Sequence, residues 1–233
     1  MKKRLPQRTV RAFTLLELLT VIAIIAILMA LLIPGSEAAR EQMRRTEART
    51  AMQQIVAATN AYATEYGKLP TVAVDKSSPE TDTIVGDTTL VPSVIYNNNT
   101  IFNTLRAIPN APNTDNQLNP RRISYYPDAR AVLNPALPKS GFQDNPTDSS
   151  STTKGCLFDP WGSQYFIVLD TNYDNQIDVT SIYGDFSMPD HAPRYTVGAF
   201  SLGRDRQVGS PSLGITGVYR SGQNVSDDVL SWQ

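Results

Sequence analysis

A single cysteine, Cys156, and a single histidine, His191, stand in a chain of 233 residues. One cysteine excludes an intramolecular disulfide. Together the two counts exclude a His/Cys zinc cluster, and any histidine-centred triad would have to use His191. That residue lies in PDHAPRY between two prolines, the context of a surface loop. Cys156 reads as a small, half-buried apolar residue rather than a reactive thiol. No glycine-rich phosphate loop occurs. Acids are absent from the first 12 residues, which hold Lys2, Lys3, Arg4, Arg8 and Arg11. Without those five, 16 basic residues face 22 acidic ones, a charge of −6. Such a balance argues against nucleic acid as the main partner.

Hydrophobic residues make up 41% of the chain, enough for a core. They are unevenly spread. From Leu18 to Ile33 only Thr20 is polar, and the apolar stretch from Phe13 to Ile33 covers 21 positions. About 20 suffice for a membrane-spanning helix. Basic residues precede it, which places the N-terminus in the cytoplasm and the remainder across the membrane. Glu17 is the anomaly, because a charge deep in a bilayer costs roughly 2.5–3.5 kcal/mol even on a lenient scale. A secretory signal peptide cut between Gly35 and Ala39 gives no reason for it. A cut between Ala12 and Phe13 does. It makes Glu17 the fifth residue, one helical turn from the new Phe13 amine and near a positive helix end. In a bundle of such helices, Glu17 could neutralise the amine of a neighbour and act as a register key.

The stretch FTLLELLTVIAIIAILMALLIP resembles the N-terminal segment of type IV pilins and of type II secretion pseudopilins. The matching features are the basic leader, Phe13 after the cut, Thr14, Glu17, the apolar helix and Pro34. The resemblance implies a prepilin peptidase that cuts before Phe13 and N-methylates it. Ala12 departs from the family, which usually has glycine there.

Past Pro34 and Gly35, expected to weaken the helix, the pattern turns amphipathic. Ala48, Ala51, Ile55, Ala58 and Tyr62 form one stripe, and EYGKLP closes the helix. One helix of about fifty residues is expected. Residues 71–156 are rich in turn formers and read as a variable connection. Within it TIFNTLRAI predicts a short helix and RRISYYPDARAVL a strand or short helix, with regular structure returning at Cys156. Asp159, Pro160 and Gly162 suit a type I turn. Tyr165 to Leu169 and Tyr195 to Leu202 predict antiparallel strands packed on the helix, with Trp161 and Trp232 as core or edge anchors. The expected fold is α+β and pilin-like: a long helix on a small antiparallel sheet. Its parts are a leader (1–12), a transmembrane assembly helix (13–35), an amphipathic helix (36–70), a loop-rich region (71–156) and a sheet with a C-terminal loop (157–233). YGKLP, DPWG, FSLGRDRQVG and SDDVLSW, in this order, are similar to the major pseudopilin of type II secretion.

Two loops are candidate calcium sites. Asp170, Asn172, Asp174 and Asp178 place oxygens at positions 1, 3, 5 and 9 of an EF-hand-like loop. Position 6 is Asn175 rather than Gly, and position 12 is Ser181 rather than Glu. The competing reading is an Asp/Asn-rich hairpin turn. The pseudopilin resemblance implies the second site, with side chains from Asp205 and Asp228, Asp227 as a substitute, and the Leu202 carbonyl.

By that resemblance the chain is a non-enzymatic, single-pass inner-membrane subunit with a periplasmic head. It implies a helical homopolymer, with minor pseudopilins, prepilin peptidase, an assembly platform and ATPase, and secreted substrate as partners. A type IV pilin for adhesion, motility or DNA uptake is the nearest alternative. A membrane-anchored calcium-binding module or hydrolase is the alternative of another class.

Overall fold

The computed structural model describes residues 14–70, 82–126, 128, 130–147, 152–183, 194–210, 215–216 and 226–232, without the side chains of 31–35, 210, 215 and 216. The leader, Phe13 and His191 lie outside these residues. Two compact units are present, Met1–Met43 and Arg44–Gln233.

Helix α1 runs from Leu15 to Tyr66 as one element, through Pro34. It ends where the Gly67 amide donates to the Ala63 carbonyl at 2.8 Å. In the second unit its apolar stripe is buried: Ala48, Met52, Ile55, Ala58 and Tyr62 are at most 3% exposed. Thr59, also buried, satisfies its hydroxyl on the Ile55 carbonyl one turn back.

Four short strands form the main antiparallel sheet, in the order β1 (Thr83–Val85), β4 (Phe166–Leu169), β5 (Val197–Ser201) and β8 (Val229–Leu230). Small two-stranded sheets pair β2 (Gly141–Phe142) with β3 (Leu157–Phe158), and β6 (Gly209–Ser210) with β7 (Ile215–Thr216). Every residue of β4 and β5 is buried, so alternation sorts apolar side chains between two cores. Ile167, Leu169, Val197 and Ala199 join the α1 stripe in one core. Phe166, Val168 and Phe200 point to the other, with Ile177, Val179 and Tyr183. Phe166 and Phe200, directly paired across the strands, stack at 4.9 Å.

The expected strand pair on a helix is therefore present. So is the short helix in TIFNTLRAI, as α2 (Asn99–Leu105). Three expectations are corrected. Regular structure returns well before Cys156, because β1 is an edge strand of the main sheet and β2 precedes β3. The described part of RRISYYPDARAVL is neither strand nor helix. The Tyr125 amide bonds to Leu105, Tyr126 is buried against Phe102 and Phe142, and only Ala131 makes an isolated bridge. The turn after β4 does not simply return as a hairpin, since it continues through buried Ile177 and Val179 into α3 (Thr180–Tyr183).

Buried asparagines hold the polar connection from residue 98 to residue 126. Asn98 donates to the carbonyls of Leu157 and Tyr165 and accepts from the Leu157 amide. Asn113 accepts from the amides of Leu118 and Asn119 and donates to the Ile108 carbonyl. Asn119 donates to Thr104 and Ile123 and accepts from Ile123 and the Tyr66 hydroxyl. Each amide side chain stands in for a strand neighbour and satisfies backbone that water cannot reach.

Candidate functional site

The start of α1 is a reciprocal cap. The Glu17 amide donates to Thr14 Oγ1 at 3.2 Å, and the Thr14 amide and hydroxyl each donate to Glu17 Oε2 at 2.8 Å. Thr14-x-x-Glu17 is thus a capping box. That spacing is legible in the sequence. The carboxylate does local work within one chain, independently of any partner amine.

Beyond the cap the helix has no apolar face of its own to hide. Leu15, Leu16, Leu18, Leu19, Val21, Ile22, Ile24, Ile25, Ile27, Leu28 and Met29 are 46–82% exposed. Covering eleven such side chains with another apolar surface would be worth on the order of 10–20 kcal/mol. Among the described residues no helix is long and apolar enough to cross a membrane. The 21-position run counted in the sequence includes Phe13 and residues 31–33, whose side chains are not among them.

At the opposite end of the chain, the segment before β8 meets the loop after β5. Asp227 Oδ2 accepts from the amides of Arg204 and Asp205 at 2.6 and 3.0 Å. Gly203 makes this approach possible, with φ +67°; a Cβ there would lie 2.4 Å from the Asp227 carbonyl oxygen. Asp205 Oδ1 accepts from Gln207, and burial, opposed by that amide and aided by Asp227, pushes its carboxyl up. Asp228 is 7% exposed. Its Oδ2 accepts from Gly209 at 3.0 Å, while Oδ1 is buried without a hydrogen bond of normal geometry. Burial pushes the Asp228 carboxyl up to about 7, against the Gly209 amide and the Ser226 and Tyr183 hydroxyls. The Leu202 side chain is buried in the core away from α1. Asp205, Asp227 and Asp228 thus share one corner, with Asp227 already taken by two amides.

The EF-like loop closes on itself. Asp170 accepts from the amides of Asp174 and Asn175, Asn172 from Asp174, and Asp174 from Gln176. Asp178 accepts from Thr180, and its amide donates to Asp82, a carboxylate the sequence reading did not include. Burial pushes Asp82 up to about 6, the Asp178 amide opposes this, and Asp170, Asp174 and Asp178 add to it. Among the described residues no group of three or more His, Cys, Asp or Glu side chains is placed to hold a metal ion.

Cys156 is buried and its thiol is pushed up to about 12 by that burial. Trp161 is buried, and Trp232 packs partly covered against the core away from α1.

Residues 7–33 match the family described as the prokaryotic N-terminal methylation motif. That motif is the type IV pilin-like signal; it implies processing by a prepilin peptidase, membrane anchoring and assembly into polymers. No curated protein and no solved structure matches the chain.

Proposed function

We propose that the chain is a structural subunit of a periplasmic pseudopilus serving type II protein secretion. The supporting observation is the methylation motif at 7–33, coinciding with a capped helix whose apolar side chains from Leu15 to Met29 are exposed. A prepilin peptidase cuts between Ala12 and Phe13, which frees the Phe13 amine, and then N-methylates it with a methyl group from a separate donor. The helix from Phe13 to Pro34 is first held in the inner membrane and then in the fibre core. There Glu17 exchanges its Thr14 contacts for the amine of a neighbour, so the charge is neutralised where lipid could not do so. An assembly platform and ATPase, with minor pseudopilins, would move subunits from bilayer to fibre. The head faces the periplasm and secreted substrate. The lone buried cysteine favours a pseudopilus over an adhesive pilus, whose subunits often close a C-terminal loop with a disulfide.

Calcium belongs to this proposal at the C-terminal corner, through Asp205 and Asp228 and the Leu202 carbonyl. The burial of the Asp228 carboxyl supports it, since a cation would neutralise a charge that burial disfavours. Intact-mass analysis of the membrane-extracted chain tests the whole reading. The expected mature chain begins at a methylated Phe13. A chain that retains Met1, or one cut near Gly35, overturns it.

A further inference from the structure

Two surfaces of the head carry large apolar side chains in the open. The first is a hook, residues 131–138, whose Leu133 and Leu137 are 101% and 68% exposed. The hook is well fixed. Val132 donates to the Phe142 carbonyl at 3.0 Å, Leu137 to the Asn134 carbonyl at 3.1 Å, and the Gln143 side chain to the Pro135 carbonyl at 2.6 Å. The second is the closed turn after β4. Tyr173 sits at its tip with φ +62° and is 59% exposed, with Asp174 and Asp178 exposed beside it.

These surfaces carry opposite charge. The exposed charge beside the hook is Lys139, and the exposed charges at the turn are Asp174 and Asp178. Lys139, exposed at the foot of the hook, forms no ion pair among the described residues. The surfaces also attach to different cores. The hook is bonded to Phe142, which belongs to the core under α1. The turn leads into Ile177 and Val179, which belong to the other core. Hook and turn thus hang from different cores of the head.

We propose that the hook of one subunit docks on the Tyr173–Asp178 turn of the next, with Leu133 and Leu137 against the Tyr173 ring and Lys139 toward Asp174. The occupant is a second copy of this chain. Such a contact uses different patches on its two sides, and a heterologous contact that does not close generates an open filament. This proposal rests on the polymer reading above and adds to it the contact that joins the heads.

Disulfide trapping of the full-length chain in assembling cells tests it, using Leu133→Cys and Tyr173→Cys. Buried Cys156 leaves the background clear. Under oxidation the double variant is expected to give a ladder of covalent multimers, and neither single variant a ladder. A dimer from Leu133→Cys alone means a two-fold contact and overturns the proposal. So does a product joining the hook to a different protein. Wild-type fibres without a ladder in the double variant overturn the docking but leave the polymer reading standing; absence of wild-type fibres removes both. Independently, Leu133→Ser with Leu137→Ser should leave Tm unchanged, because both are exposed, and lower fibre yield roughly tenfold or more. Normal fibre yield from that variant also sinks it.

Discussion

The Ser201 hydroxyl, at the end of β5, donates to Asp159 Oδ2 at 2.6 Å, while Asp159 Oδ1 accepts from the amides of Trp161, Gly162 and Ser163. One fully buried carboxylate thus ties the turn before β4 to the far end of the neighbouring strand. Burial pushes its carboxyl up to about 6, and the four donors pull against that rise. Asp159→Ala should cost at least about 3 kcal/mol, because several amides lose their acceptor together. Asp159→Asn keeps one acceptor oxygen and should cost less. Urea unfolding of the detergent-solubilised chain reads both; an Ala variant as stable as wild type refutes this role.

Glu17 has two roles that one substitution separates. Glu17→Gln can retain the capping box, since glutamine serves at that position. It cannot neutralise an amine. Helix content of the membrane-extracted chain should therefore stay the same while fibre assembly fails. Thr14→Ala should do the reverse, fraying the first turn by about 1 kcal/mol and leaving the charge in place. Normal fibres from Glu17→Gln would show that the charge has no part in assembly.

Stability should fall as pH rises from about 4 to about 7 in the presence of a chelator. Asp82, Asp159 and Asp228 are raised to about 6, 6 and 7, so the folded chain holds protons that the unfolded chain releases. Each such group stabilises fully below its unfolded value and loses that contribution as pH passes its folded value. Asp228→Asn should remove the loss between about 6 and 7. Millimolar calcium should offset the same loss in wild type, by favouring the ionised form, and should have no such effect on the variant. Asp174→Ala should keep the calcium response. A Tm at pH 8 that ignores calcium and chelator counts against the C-terminal site, and a response abolished by Asp174→Ala moves the ion to the EF-like loop.

Asn119→Ala should destabilise the head by about 2–4 kcal/mol although asparagine is a polar residue in a region of loop composition. Its amide group makes four hydrogen bonds at zero exposure. Thermal unfolding of the extracted chain measures this. A change under 0.5 kcal/mol would mean the network is dispensable.

What the sequence revealed followed pattern length. The stripe Ala48 to Tyr62 spans four turns, and FIVL with VGAFS are continuous apolar runs, so the helix and its two main strands could be read directly. β1 could not, because three residues, TIV, are too few to establish alternation. The connection from Asn98 to Tyr126 looked like open loop because its composition matches solvent-exposed turns. Burial reverses the meaning of those asparagines, and only the packed chain shows which of them face inward. Asp82 was missed for a similar reason, lying 96 residues from the Asp178 amide it accepts.

Because both faces of β4 and β5 are buried, polarity gives the pairing no sense of which side is out. Size supplies it. At Gly198, opposite Val168, a Cβ would lie 2.5 Å from Ile177 Cδ1 and 2.7 Å from the Trp232 ring. A slip of one residue would bring Val197 or Ala199 into that gap and turn Phe200 toward α1. The strand is keyed like a lock with one missing tooth, and the missing tooth is the side chain that glycine does not have.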